Sequence, residues 1–274
     1  MSQETNVVKK VLITGISGVV GSSAYMLMHQ FPDQYELYGL GRRRALSERV
    51  TDGRNIALPD SRHFVVEIAD FDAVRAAVDG MDVVVHLAAY LSDNDWQVVL
   101  RDNIDGAYNI FEACRQAGVS RVITASTVQV STGQRKREPY NAVSTGRLQP
   151  LPDGVPPLSP RVAAEPRNLY AASKVFNESL CHVFAHKYEM SCLAIRIGWV
   201  VGEDEVPNPN SEDIWCSQRD IAQLIRSCVD APDHVTCDVF YGMSNNRYLW
   251  VDLSNARDKL GFEPQDRAED HLPE

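Results

Sequence analysis

Residues 11–27 read VLITGISGVVGSSAYML, and the fold turns on how this stretch is read. KVLITG is an apolar run suited to a strand buried on both faces, and SSAYMLMHQF has the pattern of a helix. Between them lie Gly15, Gly18 and Gly21. Glycine permits a tight turn and lets the backbone approach a ligand closely. The following helix offers its unpaired N–H groups and the positive end of its dipole. At the head of a strand–helix series, T-G-x-x-G-x-x-G therefore points to a turn that holds the pyrophosphate of a dinucleotide. Gly15, Ser17, Gly18, Val19, Val20 and Gly21 are the candidates for that contact, with Thr14 tying down the turn.

The same alternation runs outward from this stretch. YELYGLGR, HFVVEIAD, MDVVVHLAA, RVITAST and SCLAIRIGWV read as further strands. FDAVRAAVDG, WQVVLRDNIDGAYNIFEACRQAG and YAASKVFNESLCHVFAHKY read as the helices between them. This rhythm predicts an α/β protein, a Rossmann-like doubly wound parallel sheet with right-handed crossovers. Residues 1–196 are expected to form the dinucleotide-binding domain. Residues 197–274 would form a small substrate-binding region that partly returns to the sheet through CDVFYGM. Residues 132–168 interrupt the rhythm with seven prolines and no clear period, and read as a lid-like insertion.

The chain has 274 residues, 44% of them hydrophobic and 23% charged, enough for a substantial buried core. No apolar run is long enough to span a membrane. The polar start MSQETNVVKK lacks a signal-peptide core, so a cytoplasmic protein is expected. The net charge of −10 argues against general affinity for nucleic acid or an anionic membrane. Cys114, Cys181, Cys192, Cys216, Cys228 and Cys237 are scattered and form no C-x-x-C pair. They read as buried free thiols in a reducing compartment, and no metal site is expected.

YAASK places Tyr170 and Lys174 four residues apart, on one face of a helix. An ammonium near the phenol favours the phenolate and lowers the tyrosine pKa, which suits a general acid/base. The strand before it ends ITASTVQV, where Ser126 and Thr127 are both candidates for a hydroxyl that holds a substrate oxygen. Together with the glycine turn, these residues resemble the extended short-chain dehydrogenase/reductase superfamily, the NAD-dependent epimerase/dehydratase type. Aligning Val130 with that family's valine favours Thr127 over Ser126. VVHLAA at residues 84–89 resembles the strand that passes along the cofactor, with Leu87, Ala88 and Ala89 at its end. DNIDGAYNIFEAC matches another family segment, in which Asn103 supports the active-site backbone. Glu67 and Ile68 occupy the adenine-edge segment, and Ile197 follows the sixth strand beside the nicotinamide.

The resemblance implies hydride transfer between a nicotinamide dinucleotide and a carbonyl or alcohol of a small molecule. It also implies a homodimer paired through the helices at residues 95–117 and 170–188. A sugar epimerase or dehydratase with retained cofactor is the alternative, and a non-catalytic NADP-sensing regulator a weaker one. At the end of the second strand, Gly41 stands where an acidic residue would favour NAD, followed by Arg42, Arg43 and Arg44. Space at a glycine and guanidinium groups beside it favour NADP over NAD.

The C-terminal part is similar to uronate dehydrogenases but departs from their substrate residues. Trp199 replaces a serine. Asn210, Ser211, Glu212 and Asp213 stand near the expected carboxylate-binding arginine, and STVQ replaces SSNH. Tyr90, Ser92, Thr127, Gln129 and Trp199 are the expected substrate contacts, for a substrate sugar-like or more apolar than a uronate.

Overall fold

The parallel strands are β1 (Lys9–Thr14), β2 (Tyr35–Gly41), β3 (His63–Val65), β4 (Val83–His86), β5 (Arg121–Thr127), β6 (Ser191–Ile197) and β7 (Cys237–Gly242). They lie side by side in the order β3-β2-β1-β4-β5-β6-β7. This is the arrangement in a computed structural model that describes residues 8–145, 151–208 and 210–272. The helices are α1 (Val19–Met28), α2 (Phe71–Ala77), α3 (Trp96–Val98), α4 (Gly106–Ala117), α5 (Thr132–Arg135), α6 (Tyr140–Ser144), α7 (Leu169–Tyr188), α8 (Gln218–Val229) and α9 (Ser254–Leu260).

Alternation along each strand explains the two layers of helices. In β1, Val11 and Ile13 face a core shared with Ala24, Tyr25 and Met28 of α1 and with Ile221, Leu224 and Ile225 of α8. Leu12 faces the opposite core, with Val74 of α2, Ile110 and Phe111 of α4, and Leu180 and Phe184 of α7. A sheet covered on both faces needs apolar residues at successive positions, which is why KVLITG shows no polar alternation. Arg121, at the start of β5, is buried and donates to the carbonyls of Val229 (3.1 Å) and Ala231 (2.7 Å). It meets the negative C-terminal end of α8, where a cation is favoured.

The register aligns the carboxyl ends. Thr14 pairs with His86, His86 with Thr124, Thr127 with Ile197, and Ile197 with Gly242. The order reverses between β1 and β4, and in open α/β sheets the ligand crevice opens at that switch point.

Two segments differ from the sequence reading. The single helix expected at residues 95–117 is composite. α3 passes into a wider π-type stretch, Val99–Asp105, before α4 begins. There Asn103 bonds the backbone of Tyr90 in both directions, at 2.8 and 2.9 Å, and Gly106 packs against the Ile68 side chain. Such local widening re-aims side chains that an ordinary α-helix would misplace.

The insertion at residues 132–168 carries α5 and α6, each too short to show an apolar period. Its Leu158 bridges Val251 and accepts the N–H of Asp252 (3.0 Å), within a cluster that includes Val143, Tyr241 and Trp250. Residues 146–150 of the insertion lie outside the described residues.

The glycine turn leaves no room for a side chain at its third glycine. A Cβ on Gly21 would sit 2.3 Å from the Gly15 carbonyl oxygen, whereas one on Gly41 would find its nearest atoms at 3.5 and 3.6 Å. Gly21→Ala is therefore expected to cost about 2 kcal/mol of stability by overpacking. Gly41→Ala should cost less than half of that, both read from urea denaturation midpoints.

Candidate active site

Thr14 organises the switch point. Its hydroxyl oxygen accepts the N–H groups of Leu87 and Ala88, each at 3.1 Å, and lies 3.0 Å from His86 Nδ1. These bonds draw the exit of β4 against Gly15. A Cβ on Gly15 would lie 2.8 Å from the Ala88 nitrogen, and its φ of +69° is one that side chains resist. α1 begins at Val19, its N-cap Gly18 makes no side-chain cap bond, and no acidic residue occupies its first turn. Gly15, Gly18, Val19, Val20 and Gly21 line a cleft of about 550 Å³. A helix start with uncapped N–H groups, pressed against a glycine cradle, fits a pyrophosphate.

The far wall of that cleft brings together residues from three elements. β5 delivers Thr127, α7 delivers Tyr170 and Lys174, and the segment after β6 delivers Trp199. α7 is started by Asn168, whose side chain accepts the Ala171 N–H (2.7 Å) and donates to Gln129 Oε1 (2.7 Å). One residue thus caps the helix and fixes Gln129 beside it. Thr127 stands near enough to Tyr170 to bear on the proton affinity of its phenol, and the Lys174 ammonium lies 5.8 Å from the Tyr170 ring centre. Asn103 donates to Ser173 Oγ (3.0 Å), and Ser173 donates to the Tyr170 carbonyl (2.6 Å). The π-type stretch therefore braces the turn of α7 that carries Tyr170.

Ser126 and Thr127 have different partners. Ser126 donates its hydroxyl to Glu178 (2.6 Å), which is bidentate with Arg196 at 2.8 and 2.9 Å in the interior. The Thr127 hydroxyl oxygen accepts the Gln129 N–H (3.3 Å) and stays outside that ion-pair network, and both residues line the cleft.

Other candidates stand back from the cleft walls. Ile68 is buried against Gly106, Glu67 is exposed, and Asn103 acts on backbone. Ser17 lies next to Gly41, and the Arg42 guanidinium, 59% exposed, is 3.8 Å from Asp102. Arg43 is exposed, while Arg44 is paired with Asp60 (2.5 Å). Tyr90 is held by Asn103, Ser92 accepts the Asn94 N–H (3.2 Å), and neither lines the cleft. Leu87, Ala89 and Ile197 do line it.

Arg49 and Arg135 also line the cleft, and neither is among the residues that the sequence singles out. Arg49 sits in the β2–β3 connection, in no motif. Arg135 is bidentate with the buried Asp213 (2.6 and 2.7 Å), a pairing across 78 positions that no local pattern announces.

The chain matches the model of the NAD dependent epimerase/dehydratase family over residues 11–258. It belongs to that family. It is similar to the NAD-dependent glucose-6-phosphate dehydrogenase of Haloferax volcanii, at 30% identity over 265 residues and 94% of each chain. A uronate dehydrogenase of Agrobacterium fabrum is 32% identical over 206 residues, 74% of this chain and 68% of that one. The crystal structure of uronate dehydrogenase from Agrobacterium tumefaciens superposes with a TM-score of 0.72 at 29% identity, covering 96% of this chain and 86% of that one. As the motifs implied, this family member is an enzyme of the extended short-chain dehydrogenase/reductase type with a Rossmann-like sheet. No helix among the described residues is long and apolar enough to cross a membrane.

The electrostatics of the site departs from the simple lysine–tyrosine picture. Burial pushes the Tyr170 phenol up to about 12, outweighing the Thr127 hydrogen bond and the Arg49 charge that act to lower it. Burial likewise pulls the Lys174 ammonium down to about 8. His86, fully buried and facing Lys174, is pulled down to about 3 and stays neutral. Desolvation is the leading cause at all three groups, and at His86 the Lys174 charge acts in the same direction.

The lysine shift has a consequence for stability. In the unfolded chain Lys174 titrates near 10.5. Between about pH 8 and 10.5 the unfolded state holds a proton that the folded state has released, so stability rises with pH in this window. Relative to Lys174→Met, the wild-type protein should gain up to about 1.4 kcal/mol per pH unit from pH 8 to 10. Urea titrations of both proteins at the two pH values measure it.

Proposed function

We propose that the protein transfers a hydride between a nicotinamide dinucleotide, NADP in preference to NAD, and a hydroxyl-bearing carbon of a small sugar-like molecule. The observation that carries this reading is the convergence of Thr127, Tyr170 and Lys174 on the cleft that the glycine turn also lines. The dinucleotide, when bound, supplies the hydride acceptor or donor. Tyr170 exchanges the proton of the substrate hydroxyl, and Thr127 holds the same oxygen. Lys174 holds its ammonium 5.8 Å from the Tyr170 ring centre, on the cleft wall where the nicotinamide end of the dinucleotide would lie. The uncapped start of α1 binds the pyrophosphate.

Tyr170→Phe should leave dinucleotide binding within about twofold and lower kcat by 10²–10⁴-fold, the usual worth of a general acid/base. Near-normal turnover would remove Tyr170 from the mechanism. Stoichiometric appearance of the reduced nicotinamide absorbance on adding substrate distinguishes the dehydrogenase from an epimerase, which shows no net change.

Support for NADP comes from Gly41, where the chain carries no acidic side chain and an added Cβ would meet only ordinary contacts beside Ser17, and from the exposed side chains of Arg42 and Arg43. Arg42→Ala with Arg43→Ala should raise KM for NADP at least tenfold while changing KM for NAD less than twofold. Equal losses with both cofactors would overturn the preference.

At the substrate end, Asp213 neutralises Arg135, and Trp199 offers an apolar face. This favours an uncharged aldose or a more apolar alcohol over a uronate. In a panel of neutral sugars, uronates, sugar phosphates and simple aldehydes, neutral substrates should give the highest kcat/KM.

A cytoplasmic homodimer fits the reading. Trp96, Tyr108, Val183 and Tyr188 are exposed on α3, α4 and α7, the helices the resemblance places between subunits.

A further inference from the structure

One side-chain cluster lies away from the cleft and is used by none of the steps above. His182 and His186 stand one turn apart on α7, both exposed, with rings stacked 6.1 Å apart at 13°. Cys237, the first residue of β7, reaches toward them, and its Sγ lies 3.4 Å from His182 Nδ1. One ligand atom from each of the three residues falls within 4.8 Å of the others. Their sequence separation hides the group. The histidines belong to one helix, and the cysteine arrives 51 residues after His186, when β7 joins the sheet beside β6.

We propose that His182, His186 and Cys237 form a binding site for one borderline transition-metal cation of the zinc class, with water completing a tetrahedron. Two imidazoles and one thiolate suit such an ion and do not suit magnesium or calcium, which take oxygen ligands. Tetrahedral zinc bonds of about 2.0–2.1 Å to nitrogen and 2.3 Å to sulfur require ligand atoms about 3.4–3.6 Å apart. The His182–Cys237 pair already meets this, and the exposed His186 has the rotamer freedom to close the remainder. Histidines at i and i+4 present their nitrogens from one helix face, so two ligands come from a rigid element. Asp238, the acidic neighbour, is held by Lys259 and leaves the three ligands to act alone.

Burial and the Asp238 charge raise the Cys237 thiol above its ordinary pKa, so the cation displaces a proton when it binds. The bound ion staples the C-terminal half of α7 to β7.

The test uses the whole protein after exposure to a chelator and its removal. Titration with Co²⁺ is expected to give a saturable one-to-one signal with a thiolate-to-cobalt charge-transfer band in the near ultraviolet. Zn²⁺ should abolish the band by displacement, and a large excess of Mg²⁺ should leave it unchanged. Cys237→Ser should remove the charge-transfer band, and His186→Asn should weaken Co²⁺ binding at least tenfold. His186 is exposed, so this variant keeps the fold, as circular dichroism would verify. Zn²⁺ should raise the melting temperature of the wild-type protein and not that of His186→Asn. The proposal is overturned if no saturable band forms, if Mg²⁺ competes, or if the band survives in Cys237→Ser.

Discussion

The site depends on how closely β1 and β4 approach as they leave the sheet. Thr14 binds two successive backbone N–H groups at the end of β4, which presses Leu87 and Ala88 onto Gly15. No side chain fits between them, nor between Gly21 and the Gly15 carbonyl. The start of α1 is thereby held in the crevice where the strand order reverses, with its N–H groups directed at the position an anion takes. A looser turn would move α1 outward and separate the phosphate cradle from the wall carrying Tyr170.

That wall is supported by polar groups in the interior. The Arg196–Glu178 pair lies beneath the end of β5, shares hydrogen bonds with Ser126 and Tyr241, and ties β5, β6, β7 and α7 together. A buried pair of this kind is costly to break, because removing one partner strands a charge in a low-dielectric interior. Its geometric effect is to engage the Ser126 hydroxyl, while the Thr127 hydroxyl stays outside this network. Asn103 does the equivalent for the other side, joining the β4 exit to the first turn of α7 through Ser173.

Much of this was legible beforehand, because it rests on local chemistry. The inner strands, covered on both faces, are mostly apolar runs and were readable as such, whereas the edge strands β3 and β7 are only partly buried and were placed by the strand–helix rhythm. The glycine spacing announced the turn, and YAASK announced two residues on one helix face. The less legible features all depend on contacts between distant segments. The wide stretch at Val99–Asp105 exists because Asn103 must reach Tyr90. Arg135 meets Asp213 across the insertion, and Arg49 enters the cleft from the β2–β3 connection, which has no pattern. Proton affinities belong to the same group, since the lysine–tyrosine spacing promised a lowered phenol and burial reversed the direction.

The sequence by itself therefore determined the alternation of strands and helices, the glycine turn and the types of residue on the cleft wall. Each follows from period, glycine freedom or side chains one helical turn apart. Only the tertiary structure decided that the Ser126 hydroxyl is taken up by Glu178, which arginines reach the cleft, and that Cys237 comes to rest beside His182 and His186. Those outcomes follow from register and burial, which bring together residues tens to hundreds of positions apart and remove water from around their charges.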